Sequence, residues 1–173
     1  MSSLQLSMKY RIAAICVISV IMSACGHEPV RRVSVGKSAA GGNVPELRTK
    51  NRTVGERAAV VALRQLGVPY VYGGSTDQGF DCSGLVQYAY AGAGRRIPRT
   101  TSEQWRQLTP VKDRDMRVGD LLFFRIGGSI SHVGLYLGDR RFVHAPSSGR
   151  QVSVEVLDSD FYRHAFVRAA RPN

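Results

Sequence analysis

The chain has 173 residues, room for one domain of ordinary size once a leader is set aside. Hydrophobic residues make up 43%, enough for a packed core, which excludes a wholly disordered chain. The formal net charge of +11 favours anionic surroundings such as nucleic acid, an acidic membrane face or a wall polymer, but the basic residues are scattered, so they read as a solvated surface and nucleic acid is not an expected partner.

The first element is a leader. Lys9 and Arg11 flank the apolar run Ile12 to Met22, which is too short to span a bilayer as a mature helix, and the small residues Ser23 and Ala24 follow. This is the outline of a secretory signal peptide over 1–24. "MSAC" ending at Cys25 resembles the lipobox of bacterial lipoproteins, although that pattern usually has Leu where Met22 stands. The resemblance implies a lipidated Cys25, and acyl chains at about 0.8 kcal/mol per buried CH₂ would hold the protein on a membrane. Gly26 after the cysteine implies the periplasmic side of a Gram-negative outer membrane. The alternative is an ordinary signal peptide cut nearby, with Cys25 incidental, and a start at Met8 would give a shorter leader. Residues 25–52 carry Gly, Pro, Ser, Arg and Lys without a sustained period and read as a flexible tether.

The folded part is expected over 53–173. "TVGE" at Thr53–Glu56 is a capping box. Ala59, Ala62, Leu63 and Leu66 follow at helical spacing, Gly67 supplies a stop and Pro69 prevents continuation, so a helix is predicted over 54–66. "VPYVYGGSTDQGF" reads as a Gly-rich loop. Asp81 is the expected N-cap of a second helix with Leu85, Val86, Ala89 and Tyr90 on its apolar face and Gly92 and Gly94 at its end. "TSEQ", Thr101–Gln104, reads as another capping box opening a short helix near Trp105. Beyond Pro110 come "DLLFFRI", "SHVGLYL", "RFVHAP", "VSVEVL" and "HAFVRAA", short, β-rich and separated by turn residues. Helices first and strands after predict an α+β fold with an antiparallel sheet.

Of three cysteines, Cys16, Cys25 and Cys82, only Cys82 lies beyond residue 25, and it stands alone if the leader is cut and Cys25 is lipidated. A disulfide framework and a multi-cysteine zinc site are thereby excluded. In the first turn of a helix capped by Asp81, Cys82 would feel roughly half a positive charge from the unpaired amides, which favours thiolate. The alternative is a buried structural cysteine. A nucleophile needs a base, and the histidines are His27, His132, His144 and His164. His27 is in the tether. His132 and His144 lie in two strands joined by a tight turn. A three-residue loop over 137–139 would pair them directly on one face of the sheet, whereas a two-residue loop would put them on opposite faces. In the catalytic reading His132 takes the Cys82 proton and His144 orients His132.

"PYVYGG…FDCSGLVQYAY", "IPRTTSEQ", "VGDLLFF" and "SHVGLYLGDRRFVHAP" together resemble the successive motifs of the NlpC/P60 cysteine peptidases, over residues 54 to 170. The resemblance implies a reduced papain-like α+β domain, N-terminal helices packed on an antiparallel sheet, that hydrolyses peptide bonds in peptidoglycan stem peptides. It implies that Cys82 is the nucleophile, His132 the base and His144 the polar residue that orients it. Tyr70 matches a tyrosine whose hydroxyl lines the site and helps hold the oxyanion, Asp81 and Ser83 match positions on the substrate side, and Arg99 matches the basic residue of the "PRT" motif. For Tyr70 the alternative is packing, and for Arg99 a surface ion pair.

The expected chemistry is acyl transfer through a thioester, with no metal and no cofactor. Expected partners are peptidoglycan and, through the anchor, a membrane, with the protein itself a monomer. Three rivals remain at this point: an amidase or acyltransferase on the same scaffold, a non-catalytic wall-binding lipoprotein, and a zinc site made of Cys82, His132 and His144.

Overall fold

The computed structural model describes residues 52–173. The expected signal peptide over 1–24, Cys16, Cys25, His27 and all but the last residue of the expected tether lie outside the described residues. Among the described residues no helix is long and apolar enough to cross a membrane.

Thr53 caps the first helix, α1 (Val54–Leu63), through the expected box: Thr53 Oγ1 accepts from the Glu56 amide at 3.2 Å, and the Glu56 carboxylate accepts from the Thr53 amide at 2.7 Å. The helix ends three residues before the expected position. The amides of Gln65 and Leu66 reach back to Ala62 and Leu63, so the chain tightens into turns before Gly67, whose φ is +86°. The buried face is Ala58, Ala59 and Ala62. Leu63 and Leu66, expected on that face, are exposed, because the α1 surface that meets the core is narrow and built from small side chains.

A two-strand hairpin, β1 (Ser75–Thr76) and β2 (Gly79–Phe80), stands where only loop was expected. The second helix, α2 (Cys82–Gly92), has Asp81 as its N-cap and buries Leu85, Val86, Ala89 and Tyr90, as expected. In the third, α3 (Thr101–Gln107), the capping box sits one residue earlier than expected. Thr100 Oγ1 accepts from the Glu103 amide, and Glu103 Oε2 accepts from the Thr100 amide. Of the two possible boxes the one with the carboxylate forms, since an anion at N3 also gains from the helix dipole.

The chain continues through β3 (Thr109–Val111), a single 3-10 turn (Asp113–Asp115), β4 (Leu121–Ile126), β5 (Ser129–Gly138), β6 (Arg141–His144), β7 (Ser153–Val156), the short helix α4 (Asp160–Ala165) and β8 (Phe166–Arg171). His164 and Ala165, expected to open the last strand, belong to α4. The six strands β3 to β8 form one antiparallel sheet in the order β3-β8-β4-β5-β6-β7. Leu121 and Phe123 on β4 pack with α1 and α2, while Leu122 and Phe124 face a second cluster with Tyr136, Phe142, Leu157 and Tyr162. The continuous run "LLFF" is therefore the signature of a strand covered on both faces. Each such side chain contributes roughly 1.5–3 kcal/mol by leaving water. Helices precede and cover a sheet of antiparallel strands, which is the α+β arrangement expected.

Candidate active site

Cys82 is the first residue of α2. The start of that helix is fixed from several sides. Asp81 Oδ1 accepts from the Gly84 amide at 2.6 Å and from the Ser83 hydroxyl at 3.1 Å, and Oδ2 accepts from the Gly73 amide at 3.1 Å. Arg99 grips both carboxylate oxygens, at 3.0 and 2.7 Å, and donates as well to Ser83 Oγ and to the Gly74 carbonyl. Burial alone would raise the Asp81 carboxyl, but the Arg99 guanidinium, the Gly84 amide and the Ser83 hydroxyl hold it below the usual range. The loop closes tightly on the helix. A Cβ at Gly84 would stand 2.0 Å from the Gly74 carbonyl oxygen, so the fourth residue of "DCSG" has to lack a side chain.

The histidines come from β5 and β6. The turn between these strands is Asp139–Arg140, two residues with positive φ of 49° and 57°, as in the primed hairpin turns. The Arg140 guanidinium is tied to Asp158 and Asp113, which supports its left-handed backbone. A two-residue turn was expected to put the histidines on opposite faces. It does not, because a bulge between Tyr136 and Gly138 restores the parity: Gly138 pairs with Arg141, but Tyr136 with Phe142 and Leu135 with Val143. His132 and His144 therefore share a face, though not as the directly opposite pair that a three-residue loop would give. Continuing the register puts His144 across from Gly134, and the two imidazoles meet on the diagonal, with His132 Nε2 and His144 Nδ1 2.8 Å apart. A Cβ at Gly134 would stand 2.5 Å from the Phe142 ring, so this glycine also makes room for the aromatic wall. The rings of Phe142 and Tyr162 pack against His144, with centroids 5.0 and 5.4 Å away, and Phe124 packs against His132. A second bulge falls at Ser131, between the pairs Phe124–His132 and Arg125–Ile130, and turns the strand at the residue beside His132.

Both imidazoles are buried. Burial lowers the His132 pKa, and burial together with the neighbouring His132 and Arg150 lowers that of His144, so both are neutral at pH 7. One proton is shared along the Nε2–Nδ1 line, which leaves Nδ1 as the other ring nitrogen of His132 for chemistry. His144 Nε2 is buried with no hydrogen-bond partner.

The thiol lies against the backbone beside His132. Cys82 Sγ is 3.9 Å from the Ser131 carbonyl oxygen and 3.6 Å from Thr101 Oγ1. Neither imidazole is among its hydrogen-bond partners in this resting arrangement. The helix start was expected to favour thiolate. Instead burial, with the residue only 9% exposed, pushes the thiol up, although Thr101 and the Val133 and Ser83 backbone oppose it. Desolvation of an anion outweighs the partial charge of the helix end here. Tyr70, partly exposed, has its hydroxyl pKa raised by burial and then by the charges of Cys82 and Asp81, which puts it within electrostatic reach of both.

The structure thus brings Tyr70, Asp81, Cys82, Ser83 and Arg99 into one cluster at the start of α2, and joins His132 to His144 on the sheet. His164 stands apart in α4, its Nδ1 against the Asp160 carbonyl. Two residues were missed. Thr101 is free to meet the thiol because Thr100 does the capping, and the doubled threonine in "PRTTSEQ" was the available signal. Gln104 is fully buried, and its amide donates to the carbonyls of Ser83 and Pro98, tying the first turns of α2 and α3 together. A polar residue one turn into an amphipathic helix gave no sign of that. Among the described residues no group of three or more His, Cys, Asp or Glu side chains is arranged to hold a metal ion.

Comparison with known proteins fits this geometry. Residues 67–171 match the NlpC/P60 family. The chain is 33% identical over 165 residues to the murein DD-endopeptidase MepS/murein LD-carboxypeptidase of Escherichia coli, covering 89% of this chain and 87% of that protein. It is 37% identical over 142 residues to the murein DD-endopeptidase MepH of the same organism, covering 78% of this chain but 52% of MepH, so it spans about half the length of that relative. Among solved structures it resembles the NlpC/p60 domain of the peptidoglycan hydrolase SagA, with TM-score 0.60 and 34% identity over 68% of this chain and 98% of that one. It also resembles an NlpC/P60 family protein from Bacillus cereus, with TM-score 0.64 and 32% identity over 68% of this chain and 39% of that one. A helix-start cysteine beside a sheet-borne histidine pair, on a backbone shared with these solved domains, is a papain-like arrangement, and the chain belongs to the NlpC/P60 family.

Proposed function

We propose that the protein is a cysteine endopeptidase that hydrolyses peptide bonds in peptidoglycan stem peptides or their cross-links. The observation that carries this reading is the hydrogen-bonded His132–His144 pair, with His132 on the strand whose backbone touches the Cys82 thiol. Relatives named murein endopeptidases supply the substrate class.

The resting state has a protonated thiol and two neutral imidazoles, so His132 acts as general base during attack. Sγ attacks the scissile carbonyl while its proton passes to His132 Nδ1. The imidazolium keeps Nε2–H on His144 Nδ1, whose lone pair stabilises the new charge without itself taking the proton. The amide of Cys82, in the first turn of α2 and so without an intrahelical acceptor, holds the oxyanion with the Tyr70 hydroxyl. His132 returns the proton to the leaving amine. Water activated by His132 then hydrolyses the thioester, releasing the carboxylate product and restoring the thiol. Asp81, Ser83 and Arg99 line the substrate side of the nucleophile. In the same reading Cys25 carries a lipid anchor that holds the domain at the outer membrane, facing the wall.

The test is a digest of purified peptidoglycan by wild type and Cys82→Ala, with products identified by mass. Fragments with split stem peptides, made by wild type alone, are expected. Intact stem peptides freed from the sugar would mean an amidase. Co-sedimentation with the wall and no fragments from either protein would mean a binding protein.

A further inference from the structure

We infer that the Thr101 hydroxyl is the ionisation partner of Cys82: it shares a hydrogen bond with the thiol at rest and donates to the sulfur once it is an anion. This rests on Cys82 being the nucleophile. The backbone of Val133 and Ser83 favours the thiolate but is fixed in place, and the two acceptors at Sγ differ in what they can do. The Ser131 carbonyl only accepts, so it can serve the thiol but repels a thiolate. A hydroxyl both donates and accepts, and can rotate as the proton leaves. Thr101 Oγ1, 3.6 Å from Sγ, is a side chain that can follow the sulfur through its change of charge.

The position is built rather than incidental. Thr100 takes the capping task, which frees the next hydroxyl. Gln104, one turn on, bonds the Ser83 carbonyl at 3.3 Å and the Pro98 carbonyl at 2.8 Å, so the first turn of α3 is locked to the first turn of α2 and the Thr101–Cys82 spacing is set by two helices. Water is a poor substitute at a residue only 9% exposed. Burial dominates the raised pKa of this thiol, and the Thr101 hydrogen bond is the foremost influence opposing it.

The experiment measures the pH dependence of iodoacetamide alkylation at Cys82 in the full chain, following the Cys82 peptide by mass so that Cys16 and Cys25 do not contribute. Removing a hydrogen bond to a charged group in Thr101→Val should raise the midpoint by about one pH unit and slow alkylation near neutrality about tenfold. Thr101→Ser, which keeps the hydroxyl, should return the wild-type midpoint, a rescue that a packing role would not produce. An unchanged midpoint in a folded Thr101→Val overturns the inference, and Thr101→Ala provides the same comparison if the valine variant does not fold. A shifted midpoint in a protein that digests no peptidoglycan would retain the Thr101 role and remove the endopeptidase reading. An unchanged midpoint in an active enzyme would remove only the Thr101 role.

Discussion

Cys82 shows how two opposed effects compete at one atom. The helix start lowers the cost of a thiolate, but a nearly buried sulfur loses more from desolvation. The position of Cys82 at the start of α2 could be read in the sequence because Asp81 is a strong cap; its burial could not, because that depends on the strand packed against it. The histidines carry a pH signature of the same origin. Their folded-state pKa values are depressed below the ordinary value of about 6.5, so the unfolded chain binds more protons as pH falls. The stability associated with the neutral pair is full above pH ~6.5 and is lost as pH falls towards the folded-state values, about 4 for His132. Thermal unfolding from pH 8 to 4.5 should show Tm declining below pH 6.5, as the unfolding free energy falls by up to about 1.4 kcal/mol per pH unit for each imidazole. A His132→Asn, His144→Asn double variant should show a flatter decline, and an identical slope would contradict the assignment.

At the scale of elements, alternation and caps were legible, while turn and bulge arithmetic was not. Asp81, Leu85, Val86, Ala89 and Tyr90 behaved as α2 required, since a strong cap and a 3.6-residue period are local signals. The β5–β6 register was misread because the sequence does not announce the bulge at Leu137, which cancels the effect of the two-residue turn. The helix α4 was not read, and its last two residues were counted to a strand, because six residues are too few to display a period. The capping box at α3 was displaced by one because Thr100 and Thr101 both fit the pattern. Gly134 is the sharpest test of how the sheet holds its histidines. A methyl group there meets the Phe142 ring, and Phe142 packs on His144. Gly134→Ala should destabilise the fold by about 1–3 kcal/mol in denaturant titration and lower the rate of wall digestion, whereas unchanged stability and rate would show that the aromatic wall yields freely.

For the whole molecule, the order of helices and strands gave the α+β class, and four ordered motifs gave the family. The substrate class rests on relatives rather than on any pocket shape in the sequence. The proposed lipid anchor makes a separate prediction. Cys25→Ser should move the protein from the membrane fraction to the soluble periplasmic fraction, and equal partition of variant and wild type would remove the anchor. The central claim is that Cys82 becomes acylated by a stem peptide. The direct measurement is an acid-quenched reaction of the full chain with soluble muropeptides, followed by the mass of the Cys82 peptide. The account predicts a thioester adduct on Cys82 that forms and decays with turnover and is lost in Cys82→Ala together with product. Sustained turnover by Cys82→Ala would contradict it.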